Sequence, residues 1–188
     1  MTMPRILFQE SQRFTQAFLW VPLTLLTSFV SGTTLWMIMR QVVNEIPFGD
    51  EPISNEMLLG LGGAVIGVNA LIVVFFATAR MQTEVTSDGL FIRFFPFHRR
   101  TRKIGLENVE TMAAVTYRSL LEYGGYGIRR YPKATAYNVR GLEGVRINYE
   151  NGVHVMIGTQ HPEALFNALQ TVLEHQAGAD TEGGHDHE

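Results

Sequence analysis

Two long runs of apolar residues, separated by a polar segment, dominate the first half of the chain. Residues 18–39 and 57–79 contain no charged side chain, and Asn69 is the one strongly polar residue of the second run. At a rise of about 1.5 Å per residue, each run is long enough to cross a hydrocarbon core about 30 Å thick. The first run also exceeds the apolar core of a cleaved signal peptide. The pattern predicts a transmembrane helical hairpin over residues 17–80, after a short polar lead-in at residues 1–16.

The pattern changes after the second run, where apolar and polar residues alternate as they do in strands. Seven segments are expected to be strands: residues 83–86, 90–95, 100–104, 110–117, 134–139, 144–150 and 153–159. Asn151 and Gly152 lie between the last two segments and predict a hairpin with a two-residue type I′ turn.

One amphipathic helix follows the predicted strands. Pro162 and Glu163 suit its first turn. Its apolar face consists of Leu165, Phe166, Leu169, Val172 and Leu173. Residues 81–176 are therefore expected to form one α+β domain, and the polar residues 177–188 a disordered tail.

Seven strands followed by one helix is the order of a pleckstrin-homology-like fold, in which the helix fills an open end between two near-orthogonal sheets. Four stretches carry a more specific resemblance: Tyr123-Gly-Gly-Tyr-Gly-Ile-Arg129, Ala136-Tyr-Asn-Val139, Gly144-Val-Arg-Ile147 and Ile157-Gly-Thr-Gln-His-Pro-Glu163. The chain resembles bacterial two-helix membrane proteins of unknown function that carry a pleckstrin-homology-like domain. The resemblance covers residues 82–173 closely and the hairpin loosely. It implies a seven-stranded barrel or sandwich capped by a helix, and a membrane location, but no activity.

Charge patterning predicts the orientation of the hairpin. The connecting segment, residues 41–56, carries four acidic residues and no Lys or Arg, whereas basic residues precede the first run and follow the second. The positive-inside rule then places both termini in the cytoplasm and the connecting segment outside a bacterial inner membrane. The net charge of −3 gives no basic bias toward nucleic acid, and the absence of cysteine excludes disulfides and thiolate chemistry.

Two sets of residues are expected to support the hairpin in the bilayer. Aromatic and basic residues at the helix ends would mark the membrane interface: Trp20, Trp36, Arg40 and Arg80. Small residues would let the two helices pack closely: Ser28, Gly32, Gly63 and Gly67. Gly63 and Gly67 have the GxxxG spacing, so homodimerisation through them is the alternative to packing within the hairpin. Asn69 is expected to form an interhelical hydrogen bond.

A basic run follows the second predicted strand of the domain and is a candidate for contact with anionic lipid headgroups. The residues expected to contact lipid are Arg99, Arg100, Arg102 and Lys103. The alternative is a solvated strand face whose charges set only the membrane topology.

A second candidate binding surface lies in residues 123–133, which combine glycines with aromatic and basic side chains. Tyr126, Arg129 and Arg130 are the residues expected to contact a partner there. In the alternative interpretation, Tyr126 and Ile128 fold back to cover the edge of a sheet. The glycine spacing does not match a phosphate-binding loop.

The sequence favours a protein that is not an enzyme and has no cofactor or metal. His98, His154 and His161 are isolated, no HExxH or GxSxG motif occurs, and His185 and His187 are expected to belong to a solvated tail. The resulting hypothesis is a binding or scaffolding module at the membrane surface, with a protein partner or anionic lipid as ligand. The alternative is an accessory subunit of a larger membrane complex, held mainly through its hairpin.

Overall fold

The computed structural model of the protein describes residues 4–97 and 100–182. The chain divides into a helical unit, Thr15–Thr78, and a sheet unit formed by the described residues of Met1–Phe14 and Ala79–Glu188. The helical unit contains α1 (Ala17–Ile38), a π-helical turn (Met39–Val43) and α2 (Asn55–Thr78). The sheet unit contains β1 (Ile6–Arg13), β2 (Arg80–Thr86), β3 (Gly89–Phe95), β4 (Arg102–Ile104), β5 (Val109–Thr116), α3 (Ser119–Tyr123), β6 (Gly127–Tyr131), β7 (Ala134–Asn138), β8 (Glu143–Tyr149), β9 (His154–Gly158) and α4 (Pro162–Glu182).

The helical unit is a pair of helices that are long and apolar enough to cross a membrane. Its helices pack where a Cβ at Gly62 would lie only 2.8 Å from Ile38 Cδ1 and 3.1 Å from Thr34 Cγ2. The amide Nδ2 of Asn69 donates a hydrogen bond of 3.3 Å to Ser31 Oγ. The interhelical hydrogen bond expected for Asn69 is therefore confirmed, and it lies on the packed side of both helices.

The residues predicted to mediate this packing lie elsewhere. Ser28 and Gly32 of α1 and Gly63 and Gly67 of α2 are exposed, and nothing lies within 4 Å of a Cβ built on any of the three glycines. Gly62, one position from the predicted Gly63, has the close contact instead. The packing prediction was wrong by about one residue, because both helices are apolar all round and offer no amphipathic stripe to identify the inner face.

Bulky substitutions at the neighbouring glycines Gly62 and Gly63 should therefore differ in their effect on helix packing. Leucine at Gly62 should push α1 and α2 apart, whereas leucine at Gly63 should leave the pair intact, since its Cβ meets open space. Oxidative crosslinking of a Ser31→Cys/Asn69→Cys pair measures the separation. We expect Gly62→Leu to lower the crosslinking yield by at least about threefold, with Gly63→Leu as the matched control. An equal loss in both variants would contradict this packing.

The end of α1 is tied to the segment that connects the two helices. Gln41 is buried, and its Nε2 donates to Ile53 O at 2.6 Å and to Asn55 Oδ1 at 3.0 Å. The Arg40 guanidinium lies 5.5 Å from the centroid of the Trp36 ring and 5.9 Å from that of Phe48. Trp36 and Arg40, two of the predicted interface residues, are thus brought together at this end of the hairpin.

The first sheet of the sheet unit has four antiparallel strands in the order β1-β2-β3-β4. Leu90, Ile92 and Phe94 on β3 are buried, as their alternation predicts. The prediction of a short polar lead-in at residues 1–16 was wrong. Residues Ile6–Arg13 form β1, which pairs along the whole of β2. Leu7, Phe8 and Phe14 pack against the core, so the N-terminal segment belongs to the folded domain that follows the helices.

Two polar side chains of β1 fasten it to the end of β9. The Glu10 carboxylate accepts hydrogen bonds from Thr159 Oγ1 and from the Gln160 N–H, the latter at 3.0 Å. Gln12 Nε2 donates to Gly158 O at 2.8 Å. Both side chains are buried, so the loss of either would leave unpaired polar groups out of contact with water.

The second sheet has five strands in the order β5-β8-β9-β7-β6. All its pairs are antiparallel except β7–β9, which is parallel. The predicted hairpin between β8 and β9 is confirmed, but its turn is not type I′. Tyr149 pairs across a three-residue loop in which Gly152, and not Asn151, has a positive φ, of +73°. This is a type I turn followed by a glycine bulge.

The helix α4 covers the core between the two sheets. It contacts β1, β2 and β3 of the first sheet and β5 and β8 of the second. Leu165, Leu169 and Val172 are fully buried, as the apolar face predicts. The helix continues to Glu182, so residues 177–182 are not the disordered tail that the sequence suggested, and residues 183–188 lie outside the described part.

The α+β class with two apolar helices is confirmed, while the count and closure of the strands differ from expectation. The described residues contain nine strands instead of seven, since β1 and β6 were not predicted. The strands form two separate sheets and no closed barrel within residues 4–97 and 100–182.

Candidate functional site

The predicted basic run is divided by the strand that carries it. Arg102 and Lys103 are exposed on β4, where Arg102 pairs with Ile92 and Lys103 with Phe91. Since successive side chains of a strand point to opposite faces, these two charges do not form one patch. Arg100 is exposed in the segment before β4, and Arg99 lies outside the described residues.

The predicted aromatic and basic loop is mostly regular structure. Residues 119–131 form α3, a tight glycine turn and the edge strand β6, in which Arg129 and Arg130 are exposed. Gly124 and Gly125 have φ values of +64° and +130°, which favour glycine. Tyr126 is half-buried and Ile128 packs against the core, so this segment itself forms the sheet edge that it was suggested to cover.

A continuous exposed surface, here called the α3–β6 surface, results from this arrangement. Leu120 and Leu121 of α3 are 63% and 76% exposed. Arg129, Arg130 and Tyr131 are exposed on β6, which pairs with β7 on one side only. Exposed leucines beside arginines and an open strand edge are features of surfaces that bind other proteins.

Beneath α3 lies a cluster of polar and aromatic side chains on the outer face of the second sheet. The Tyr123 hydroxyl lies 3.3 Å from His154 Nε2, and Arg146 Nη2 lies 3.4 Å from Glu122 Oε2. Burial raises the pKa of Tyr123. Burial, and then the positive charge of Arg146, lowers the pKa of His154. The cluster therefore favours a neutral imidazole and a neutral phenol at neutral pH.

His154 should make the stability of the sheet unit depend on pH. Its pKa in the folded protein lies below that of the unfolded chain, about 6.5. At mildly acidic pH the unfolded chain therefore binds more protons than the folded protein. The contribution of neutral His154 to folding stability is complete above pH about 6.5 and is lost as the pH falls through the folded pKa. We expect the thermal midpoint to fall less in His154→Gln than in the unmodified protein between neutral and mildly acidic pH.

The exposed His161, at the start of α4, provides the matched control. The variant His161→Gln should keep the pH dependence of the unmodified protein. An NMR titration that places the His154 pKa above 6.5 would contradict the proposed sign.

Tyr117 forms a second, more deeply buried part of the cluster. Its ring packs edge-on against Tyr123 at 5.8 Å, and burial raises its pKa. The hydroxyl lies close to Ser119 and Asn138, yet none of these buried groups has a partner in good hydrogen-bond geometry within the described residues. This polar centre is closed to solvent and serves packing more readily than chemistry.

The structure brings together three arginines that the sequence does not identify as a group. Arg13, Arg80 and Arg93 lie on the outer face of the first sheet, and the pairing of β1 with β2 brings the first two together. Arg80, predicted to lie at the membrane interface, begins β2. Trp20 lies in the first turn of α1. No alternation of apolar and polar residues marks β1 in the sequence, so this group depends on a long-range pairing that local sequence does not indicate.

No group of three or more His, Asp or Glu residues that could hold a metal ion occurs within residues 4–97 and 100–182. His98, His185 and His187 lie outside these ranges. Comparisons of the chain with protein-family models, curated proteins and solved structures find no match.

Proposed function

We propose that the protein is a membrane-anchored, non-enzymatic binding or scaffolding module. The helical unit spans the bacterial inner membrane with both termini in the cytoplasm, and the sheet unit binds a protein partner or anionic lipid at the membrane surface. The observation that carries the proposal is the insertion of two apolar helices between the paired strands β1 and β2. A domain tethered by two chain connections cannot leave the membrane, so its natural ligands are the bilayer and neighbouring proteins.

A pleckstrin-homology-like architecture for the sheet unit is part of this proposal. Two mainly antiparallel sheets share one core with a C-terminal helix that contacts both, which supports the resemblance. The strand β1 and the parallel pairing of β7 with β9 are additions to the seven-strand order. Folds of this kind serve many unrelated binding functions, so the ligand has to come from the surface and not from the fold.

The α3–β6 surface is the best candidate for contact with a protein. Its leucines supply apolar area, its arginines supply charge complementarity to an acidic partner, and the free side of β6 can accept an added strand. A pair of exposed leucines on a helix of five residues has no packing role within the sheet unit.

The alternative function, an accessory subunit held through its hairpin, has support of its own. Gly60, Gly63 and Gly67 of α2 face away from α1, with nothing within 4 Å of an added Cβ. A helix face of small residues allows close approach of a further transmembrane helix.

Affinity purification after crosslinking in the native membrane tests the two functions against each other. The full chain is compared with the double variant Leu120→Asp/Leu121→Asp and with Gly63→Leu/Gly67→Leu. Loss of the crosslinked partner in the first variant alone supports the binding module. Loss in the second alone supports the subunit, and a protein that sodium carbonate extracts from the membrane would contradict both.

Alkaline phosphatase fusions test the orientation. The enzyme fused after Gln176 should be inactive, and the enzyme fused within the acidic segment after Asp50 should be active. The reverse pair of activities would place the sheet unit outside the cytoplasm and overturn that part of the proposal.

A further inference from the structure

Three arginines share the outer face of the first sheet, at the edge where the chain enters and leaves the helical unit. Arg13 on β1 lies directly opposite Arg80 on β2, and Arg80 lies opposite Phe95 on β3. Arg93 precedes Phe95 by two residues and therefore points to the same face, diagonal to Arg80. Arg13, Arg80 and Arg93 are called the arginine row below.

The arginine row forms no ion pair within the described residues, although the Arg80 guanidinium lies 5.9 Å from the centroid of the Phe95 ring and Glu84 lies on the same face of β2. Like charges placed directly opposite each other on paired strands are destabilising unless an anion lies between them. No carboxylate of the described residues lies within ion-pair distance of the row. The Nε atoms of Arg80 and Arg93 are shielded from water and have no acceptor. The row therefore presents hydrogen-bond donors and positive charge that lack an anionic partner.

The position of the row along the chain indicates where that partner comes from. Three residues, Phe14 to Gln16, separate β1 from α1, and Ala79 alone separates α2 from β2. At no more than about 3.6 Å per residue, these connections keep Arg80 within about 7 Å of the last residue of α2 and Arg13 within about 14 Å of the first residue of α1. Phe97, which is 63% exposed, follows β3 at the same end of the sheet.

We infer that the arginine row binds the phosphate of an anionic phospholipid headgroup, with Phe97 entering the interface beside it. This inference rests on the membrane anchoring in the proposed function. Guanidinium groups match phosphate oxygens in a bidentate manner, and a basic cluster beside a membrane helix attracts anionic lipid. Of the predicted basic run, Arg102 lies on the opposite face of the sheet, whereas Lys103 pairs with Phe91 and therefore lies on the same face as the row.

The absence of native cysteine allows a clean spectroscopic test on the full chain. Ser11 is exposed on the same face as the row, two residues before Arg13, so Ser11→Cys labelled with bimane reports on that face. The labelled protein is reconstituted in vesicles of phosphatidylcholine, with or without phosphatidylglycerol, that contain a headgroup spin label as quencher. We expect stronger quenching with phosphatidylglycerol and a loss of the difference at high salt.

Removal of the arginine row should abolish the response to anionic lipid. Each basic residue near an anionic surface contributes about fivefold to association, so Arg13→Gln/Arg80→Gln/Arg93→Gln should lower it about a hundredfold. The control Arg118→Gln/Lys133→Gln removes two exposed charges that belong to neither the arginine row nor the α3–β6 surface, and it should respond as the unmodified protein does. If the triple variant fails to fold, Arg13→Gln, at an exposed position, should still lower association about fivefold.

Three results would overturn the inference. Equal quenching in both kinds of vesicle would show that the row does not bind lipid, and an equal loss in the control variant would show a nonspecific charge effect. A response to inorganic phosphate in phosphatidylcholine vesicles would identify a soluble anion as the ligand. If any of these results is obtained with protein that resists extraction by sodium carbonate, the membrane-anchored function stands without the lipid site. If carbonate extracts the protein, both the membrane-anchored function and the lipid site lose their basis.

Discussion

A soluble sheet domain is expected to form when residues 15–78 are replaced by an Asn-Gly turn that joins Phe14 to Ala79. Because Arg13 pairs with Arg80, the next pair along the strands is in position for a two-residue hairpin. A chain that begins at Ala79, by contrast, keeps the whole of β2 but should not fold, since it lacks β1. We expect a dispersed amide NMR spectrum for the turn-closed domain and a collapsed one for the truncated chain.

The difference follows from what β1 supplies. It gives β2 a full ladder of backbone hydrogen bonds, and Phe14 packs edge-on against Phe94 at a centroid distance of 6.3 Å. Glu10 accepts two hydrogen bonds at the junction of β9 and α4. Loss of the carboxylate alone should cost about 2–3 kcal/mol, as for buried hydrogen bonds to a charged group.

Glu10→Ala in the turn-closed domain isolates that contribution, and Ser11→Ala is its matched control because Ser11 is exposed on the opposite face. Urea unfolding measures both. If the chain from Ala79 folded with similar stability, β1 would be a peripheral strand and the domain would begin close to residue 81, as the sequence suggested.

The contrast between predicted and missed strands has a physical reason. In β8 the alternation of the buried Val145 and Ile147 with Arg146 and Asn148 indicates a strand with one buried face. In β1 the buried positions include Glu10 and Gln12, so polar residues occupy both faces and the alternation disappears. Its pairing partner also lies beyond the helical unit, and no local signal carries information about a contact at that separation.

Turn chemistry and helix faces show the same limit of local reasoning. Asn-Gly is compatible with a type I′ turn and with a type I turn followed by a glycine bulge. The register of β8 with β9 selects the second, and register depends on the whole sheet. The exact face of α2 that meets α1 was likewise undetermined, since an all-apolar helix has no polar side to exclude.

The candidate sites depended on these long-range contacts. Arg102 and Lys103 are neighbours in sequence, but β4 sends them to opposite faces. Arg13 and Arg80 are separated in sequence by both apolar helices, but β1 and β2 place them opposite each other. The spacing of basic residues along a chain therefore identified a patch that the fold divides and missed one that the fold assembles.

Two glycines of the second sheet support the buried ring of Tyr117 at very short distances. Gly144 and Gly158 are paired across β8 and β9. A Cβ at Gly158 would lie 2.6 Å from the Tyr117 hydroxyl oxygen, whereas a Cβ at Gly144 would lie 2.5 Å from the Ile157 carbonyl oxygen. The nearest obstacle at Gly158 is thus a removable side-chain atom, with Asn138 Cβ next at 3.0 Å, and the nearest obstacle at Gly144 is backbone of the neighbouring strand.

Alanine at either glycine should therefore destabilise the sheet unit, but removal of the Tyr117 hydroxyl should restore stability only to the Gly158 variant. We expect Gly144→Ala to cost about 3 kcal/mol and Gly158→Ala about 1–2 kcal/mol, which lowers the thermal midpoint of the sheet unit by roughly 10 °C or more in the first case. Adding Tyr117→Phe should restore part of the stability of Gly158→Ala, because the contact with Asn138 Cβ remains, and none of that of Gly144→Ala. Gly105→Ala is the control, because its Cβ meets only the mobile Glu107 carboxylate. Equal rescue of both variants in this double-mutant cycle would show that the ring, and not the β8–β9 backbone, limits the space at Gly144.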